Sequence, residues 1–83
     1  MQLRPIHQIA ADIRRHWADV NYAAEPYLQA MARLGGIQEN FGSDDAEGIV
    51  LRFLGNARGF RGDQAKVLKA ELKAHLAAAK KNR

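Results

Sequence analysis

Apolar residues recur along this chain at helical spacing and nowhere alternate as a strand would require. Ile6, Ile9, Ala10, Ile13 and Trp17 fall three and four residues apart, while His7, Gln8, Asp12, Arg14, Arg15 and Asp19 take the opposite face. Proline is accommodated in a first helical turn because its missing N–H has no helical partner there. The pattern therefore predicts an amphipathic helix from Pro5 to about Val20–Asn21. After a turn at Asn21–Ala23, Pro26 opens a second helix of about three turns, with Glu25 favourably placed at its positive end. Leu28, Met31 and Leu34 form its stripe, Ala24 and Tyr27 flank it, and Gly35–Gly36 stops it.

Residues 35–43 read as a loop whose Ile37 and Phe41 turn back onto the core rather than form a strand. The densest apolar run follows, Ile49-Val50-Leu51 and then Phe53-Leu54, inside a third helix over about 44–57. Ser43 is placed to cap it, and Asp44, Asp45 and Glu47 fill the first turn, where negative charge is stabilised. Ala46, Ile49, Val50, Phe53, Leu54 and Ala57 make a broad buried face. Leu51 falls outside that face, which implies cover on more than one side. Arg52 is always charged and must reach solvent or an acid such as Glu47 or Glu39.

Gly55, Gly59 and Gly62 mark a sharp reversal with Phe60 as its anchor. A fourth helix then runs from Phe60 or Gly62 to Ala79, with Ala65, Leu68, Leu72, Leu76 and Ala79 on one face. Its Ala, Leu, Lys, Glu and Gln content is close to the best for helix formation. The expectation is an all-α fold: a small four-helix domain, orthogonal or bundle-like, with the third helix central. All 83 residues form one domain, of which 80–83 are a frayed basic tail.

Charge changes this picture more than composition does. The net charge is +4, but residues 58–83 hold eight bases against Asp63 and Glu71, while residues 1–57 hold five bases against seven acids. A chain polarised in this way favours polyanionic partners at its basic end. No stretch approaches the roughly 18 apolar residues that span a bilayer, and the N-terminus lacks the pattern of a signal peptide. The absence of cysteine fits a reducing compartment. A soluble, cytoplasmic protein with no membrane partner is the expectation.

The chemistry of catalysis is thinly represented. There is no Cys or Thr, and the only Ser is the capping Ser43, which leaves no nucleophile for Ser/His or Cys/His chemistry. Asp12/His16 and Glu71/His75 are spaced one turn apart, which can bind a metal but far more often makes an ordinary intrahelical pair. No metal, cofactor or catalytic residue is assigned, and a non-enzyme is expected. The Gly55–Gly62 stretch matches neither phosphate-binding glycine pattern.

Two features suit binding. Arg58-Gly-Phe60-Arg61-Gly sets an aromatic between two arginines, able to stack on a base while the guanidinium groups meet phosphate. In the other reading Phe60 is core and the arginines solvate a turn. Lys66, Lys69, Lys73 and Lys80 then share one side of the fourth helix and, with Arg58 and Arg61, form a positive stripe roughly 30 Å long. Such a stripe suits a phosphate backbone, though lysines on an exposed helix also keep a small domain soluble. Tyr22, Tyr27 and Phe41 are the candidates for a protein-contact patch, whereas Trp17 completes the apolar stripe of the first helix.

The segments PIHQIAADIRRHW and NYAAEPYLQAM, followed by IVLRFLGNA and RGDQAKVLKAELKAHL, resemble a group of short open reading frames of bacteriophages, plasmids and integrative mobile elements. The resemblance covers about residues 4–76 and carries no assigned activity, so no site residue comes with it. It implies a protein that acts by binding, either to the element's own DNA or to host machinery such as CRISPR–Cas complexes. A DNA mimic is disfavoured, since mimicry needs an acidic surface and this chain is +4. The leading expectation is a non-enzymatic binder of nucleic acid or nucleoprotein. The alternatives are a module that inhibits or adapts a host protein in the anti-CRISPR manner, and a homo-oligomer burying Leu51 and Val67 against a second copy.

Overall fold

The computed structural model describes residues 3–38, 40–41 and 44–81, with backbone alone at 40, 41, 44 and 81. In chain order these form α1 (Ile6–His16), α2 (Glu25–Met31), strands β1 (Asn40–Phe41) and β2 (Asp44–Asp45), α3 (Ala46–Gly55) and α4 (Asp63–Lys81). Helix α1 packs against α2 and α4, and α3 packs against the same two. Phe53 of α3 also reaches the end of α1, where its ring stands edge-on to Trp17 at 6.2 Å. The result is a compact all-α four-helix domain with α3 roughly central.

The stripe read from the sequence is the buried face of α1: Ile6, Ile9, Ala10 and Ile13 are all inaccessible. Two of the N–H groups that a helix start leaves without helical partners are met from another element. Ile6 N–H donates to the Gly35 carbonyl at 3.0 Å and His7 N–H to that of Leu34 at 2.7 Å. The loop leaving α2 thus caps α1. Pro5 lies just outside the helix, as its N-cap.

Helix α1 ends at His16, about one turn before the expected boundary. Trp17 is already extended (φ −121°, ψ 90°), because its indole is drawn out to stack on Phe60, with ring centroids 5.1 Å apart and planes 16° apart. Helix α2 is also shorter than expected, at seven residues. Beyond Met31 the chain tightens into turns closed three residues back, which bury Leu34 outside the helix and free its carbonyl for His7.

The expectation of a plain loop before α3 fails in one respect. Asn40 pairs with Asp45 and Phe41 with Asp44 in an antiparallel two-residue ladder, too short to leave an alternating pattern. Asp44 and Asp45 therefore precede α3 rather than filling its first turn. The cap is Asp45, whose carboxylate accepts from the Gly48 N–H at 2.8 Å. A Cβ at Gly48 would stand 2.9 Å from that carboxylate oxygen, which would have to shift to keep the cap. Ser43 and Glu39, expected as cap and as partner for Arg52, lie outside the described residues. Arg52 itself is exposed.

The reversal into α4 turns at Gly62, whose φ of +108° favours glycine. Ala65, Leu68, Leu72 and Ala79 are buried as expected, but His75 is buried too and Leu76 is only partly covered. Helix α4 runs through Lys80 to Lys81; Asn82 and Arg83 lie outside the described residues.

Candidate functional site

At 100° per residue, Lys66, Lys69, Lys73 and Lys80 fall within an arc of about 60° on α4. Lys66, Lys73 and Lys80 are exposed, as are Arg58 and Arg61 on the preceding turn. None of these six cations forms a salt bridge among the described residues. Arg61 donates its Nε–H to the Arg58 carbonyl at 3.3 Å and remains exposed.

Lys69 is partly buried, with its ammonium donating to the Phe60 carbonyl at 2.7 Å and lying 5.8 Å from the centre of the Phe60 ring. Burial holds its pKa below the ordinary lysine value, and the positive charges of Lys73 and Arg61 lower it further. That repulsion places Arg61, Lys69 and Lys73 in one field of like charge. Uncompensated positive potential of this kind attracts an anion.

The aromatic half of the arginine-glycine turn has a different role. Phe60 is only 2% exposed, with one face on Trp17 and Lys69 nearby, so its ring offers no platform for a base. The core alternative describes it. Of the aromatic candidates, Tyr22 is 91% exposed, whereas Tyr27 packs partly against the core. The Phe41 side chain lies outside the description.

The other flank of α4 is electrostatically closed. Arg4 donates from Nε and one terminal nitrogen to the two oxygens of Glu71, at 2.7 and 2.8 Å, and from its second terminal nitrogen to Asp12 at 2.7 Å. His75 donates from Nε2 to the Arg4 carbonyl at 2.7 Å, since that oxygen can only accept. Arg15 adds a longer contact to Asp12 at 3.5 Å. Neither Asp12/His16 nor Glu71/His75 therefore stands as an isolated pair. Among the described residues no three His, Cys, Asp or Glu side chains are grouped to hold a metal. The hydrogen bond from Arg4 holds the Asp12 carboxyl below its usual range, and the same ion pairs raise Arg4.

Sequence reasoning missed a groove between α3 and α4. It encloses about 460 Å³ and is lined by Glu47 and Leu51 of α3 and by Lys73, Leu76, Ala77 and Lys80 of α4. Leu51 is 56% exposed, so the chain leaves uncovered the very leucine that its position off the buried face singled out. A second concavity of about 580 Å³ lies beside α2, where Arg14 is already held by Glu25 at 2.7 Å. Among the described residues no helix is long and apolar enough to cross a membrane. No protein-family model, curated protein or solved structure matches the chain.

Proposed function

We propose that the protein is a small non-enzymatic binding domain that holds a polyanionic partner along the basic flank of α4. One observation carries this reading: six cations from Arg58 to Lys80 gather on one turn and one helix flank, with no salt bridge to any of them among the described residues. By contrast, Arg4, Arg14 and Arg15 are each matched to a carboxylate. Because Phe60 is turned inward, recognition runs on charge rather than base stacking, which suits a nucleic-acid or nucleoprotein backbone read without sequence preference. The mobile-element setting implied by the sequence resemblance is compatible with such a role.

The test is a salt titration of binding to heparin, random duplex DNA and RNA. Four to six neutralised phosphates give a log–log slope of about −4 to −5 on duplex DNA. Absence of binding to all three polyanions at about 20 mM salt, where screening is weak, sinks the proposal. The groove beside Leu51 favours a second reading, a protein–protein module. The apolar floor gives such a partner something that a phosphate backbone could not use.

A further inference from the structure

The geometry points to a specific occupant for the α3–α4 groove: an acidic amphipathic helix of a partner protein. This inference rests on the second, protein-partner reading of the groove and names the chemistry of that partner. Its floor is Leu51, Leu76 and Ala77, and its α4 rim is Lys73 and Lys80. A furrow between two packed helices is a natural seat for a third, whose ridge of side chains fills it.

The charges on the rim set the pattern of that third helix. Lys73 and Lys80 are seven residues apart on one helix, hence about 10.5 Å along its axis and nearly in line. Two carboxylates at positions i and i+7 of a partner helix repeat with the same spacing and meet both ammonium groups. Apolar residues at i+3 and i+4 of that partner then lie over Leu51, Leu76 and Ala77. The two ammonium groups on the α4 rim orient the acidic edge of the partner toward α4.

Other occupants fit less well. A phosphate backbone satisfies the lysines but gains nothing from a leucine that is 56% exposed, and Phe60 is not there to stack on its bases. A second copy of this chain brings a net charge of +4 and its own lysine flank against Lys73 and Lys80. Charge complementarity therefore selects an acidic partner, and the exposed floor selects an amphipathic one.

Two fluorescent peptides of about 14 residues (roughly four turns) test this on the full chain. One carries Glu at i and i+7 with Leu at i+3 and i+4; the other has the same composition with its leucines scattered. Anisotropy titrations use the wild type, Leu51→Gln, and the double variant Lys73→Glu with Lys80→Glu, each checked for helicity by circular dichroism. The amphipathic peptide is expected to bind the wild type at least about tenfold more tightly than the scrambled one. Leu51→Gln should erase that preference while leaving heparin retention unchanged, and the double charge reversal should weaken both peptides.

Equal affinity for the two peptides, or a preference that survives Leu51→Gln, overturns the groove assignment while heparin binding keeps the polyanion reading intact. Loss of heparin binding in the wild type removes the polyanion reading itself. Light scattering supplies the remaining arm. A dimer that dissociates on Leu51→Gln makes a second copy the occupant and refutes the acidic-helix assignment.

Discussion

Helix α4 carries two charged flanks that the fold treats in opposite ways. On one, Glu71 receives two hydrogen bonds from Arg4, Arg4 also holds Asp12, and His75 is buried against the Arg4 carbonyl. Those charges are matched across 67 residues of chain, and they tie the segment before α1 to the last helix. On the other flank, Lys66, Lys73 and Lys80 stand in solvent without a carboxylate within 4 Å among the described residues, and Lys69 is crowded by Lys73 and Arg61. Charges in a network with fitted partners contribute to holding a fold; a row of like charges opposes it slightly and raises the local potential instead. The first flank belongs to the architecture of the domain. The second is what the domain presents.

Both flanks hang on the same apolar spine, and breaking it gives the largest expected effect. Leu72 is wholly buried on the face of α4 that lies between them. Leu72→Ala should cost about 2–5 kcal/mol in urea denaturation, a large share of the stability of a domain this small. Full retention of a cooperative transition at the wild-type midpoint would show that the two flanks do not share one core. Next comes reversal of the open flank. Lys66→Glu, Lys73→Glu and Lys80→Glu together should lower affinity for duplex DNA by about 100-fold or more at low salt and flatten the salt slope by about 3. Thermal stability should hold or rise, since each position is exposed and the substitutions relieve like-charge repulsion. A large drop in thermal midpoint would make the lysines structural after all.

How legible each flank was in the sequence follows from the range of the interactions that build it. The spacing of Ile6, Ile9 and Ile13, or of Leu68 and Leu72, is a local signal, and those stripes are the buried faces found. The lysine row is equally local, so its alignment could be read from spacing alone. What lay beyond reach was whether anything pairs with it, because pairing is tertiary: Arg4 finds Glu71 only once α1 and α4 meet. The same limit explains the end of α1, where Trp17 leaves the helix to stack on Phe60, and the start of α3, whose cap is Asp45. Ser43 and Asp45 both satisfy the local capping rule, and a two-residue strand pair decides where the helix starts. Leu51 is conspicuous in the sequence, where its position off the buried face implies extra cover. The exposed groove is the opposite outcome of the same signal.

The closed flank offers a smaller effect with a pH signature. Arg4→Met removes the partner of both Glu71 and Asp12 at a partly exposed site, for an expected loss of about 1–2 kcal/mol near neutral pH. Polyanion affinity should not change. Hydrogen bonding to Arg4 keeps the folded-state pKa of Asp12 below its unfolded value, so its contribution is fully present above about pH 4 and is lost as pH falls through the folded pKa. The variant lacks that contribution, and its stability should therefore vary less than that of the wild type on the acid side. Parallel pH profiles for the two proteins would detach Asp12 from Arg4 energetically.

The smallest effect reports on the open flank directly. Lys69 titrates below an ordinary lysine because it is partly buried and because Lys73 and Arg61 repel its proton. The unfolded chain holds that proton more tightly, so stability should rise slightly with pH from the folded pKa of Lys69 up to its unfolded value near 10.4. Lys73→Gln removes one repulsive neighbour and should move the titration of Lys69 part of the way back. A bound polyanion supplies negative charge to the same field and should move it in the same direction, which NMR of the Lys69 side chain can follow during a heparin titration. If heparin binds and the Lys69 titration stays where it was, the anion is held away from α4, and the open flank serves solubility alone.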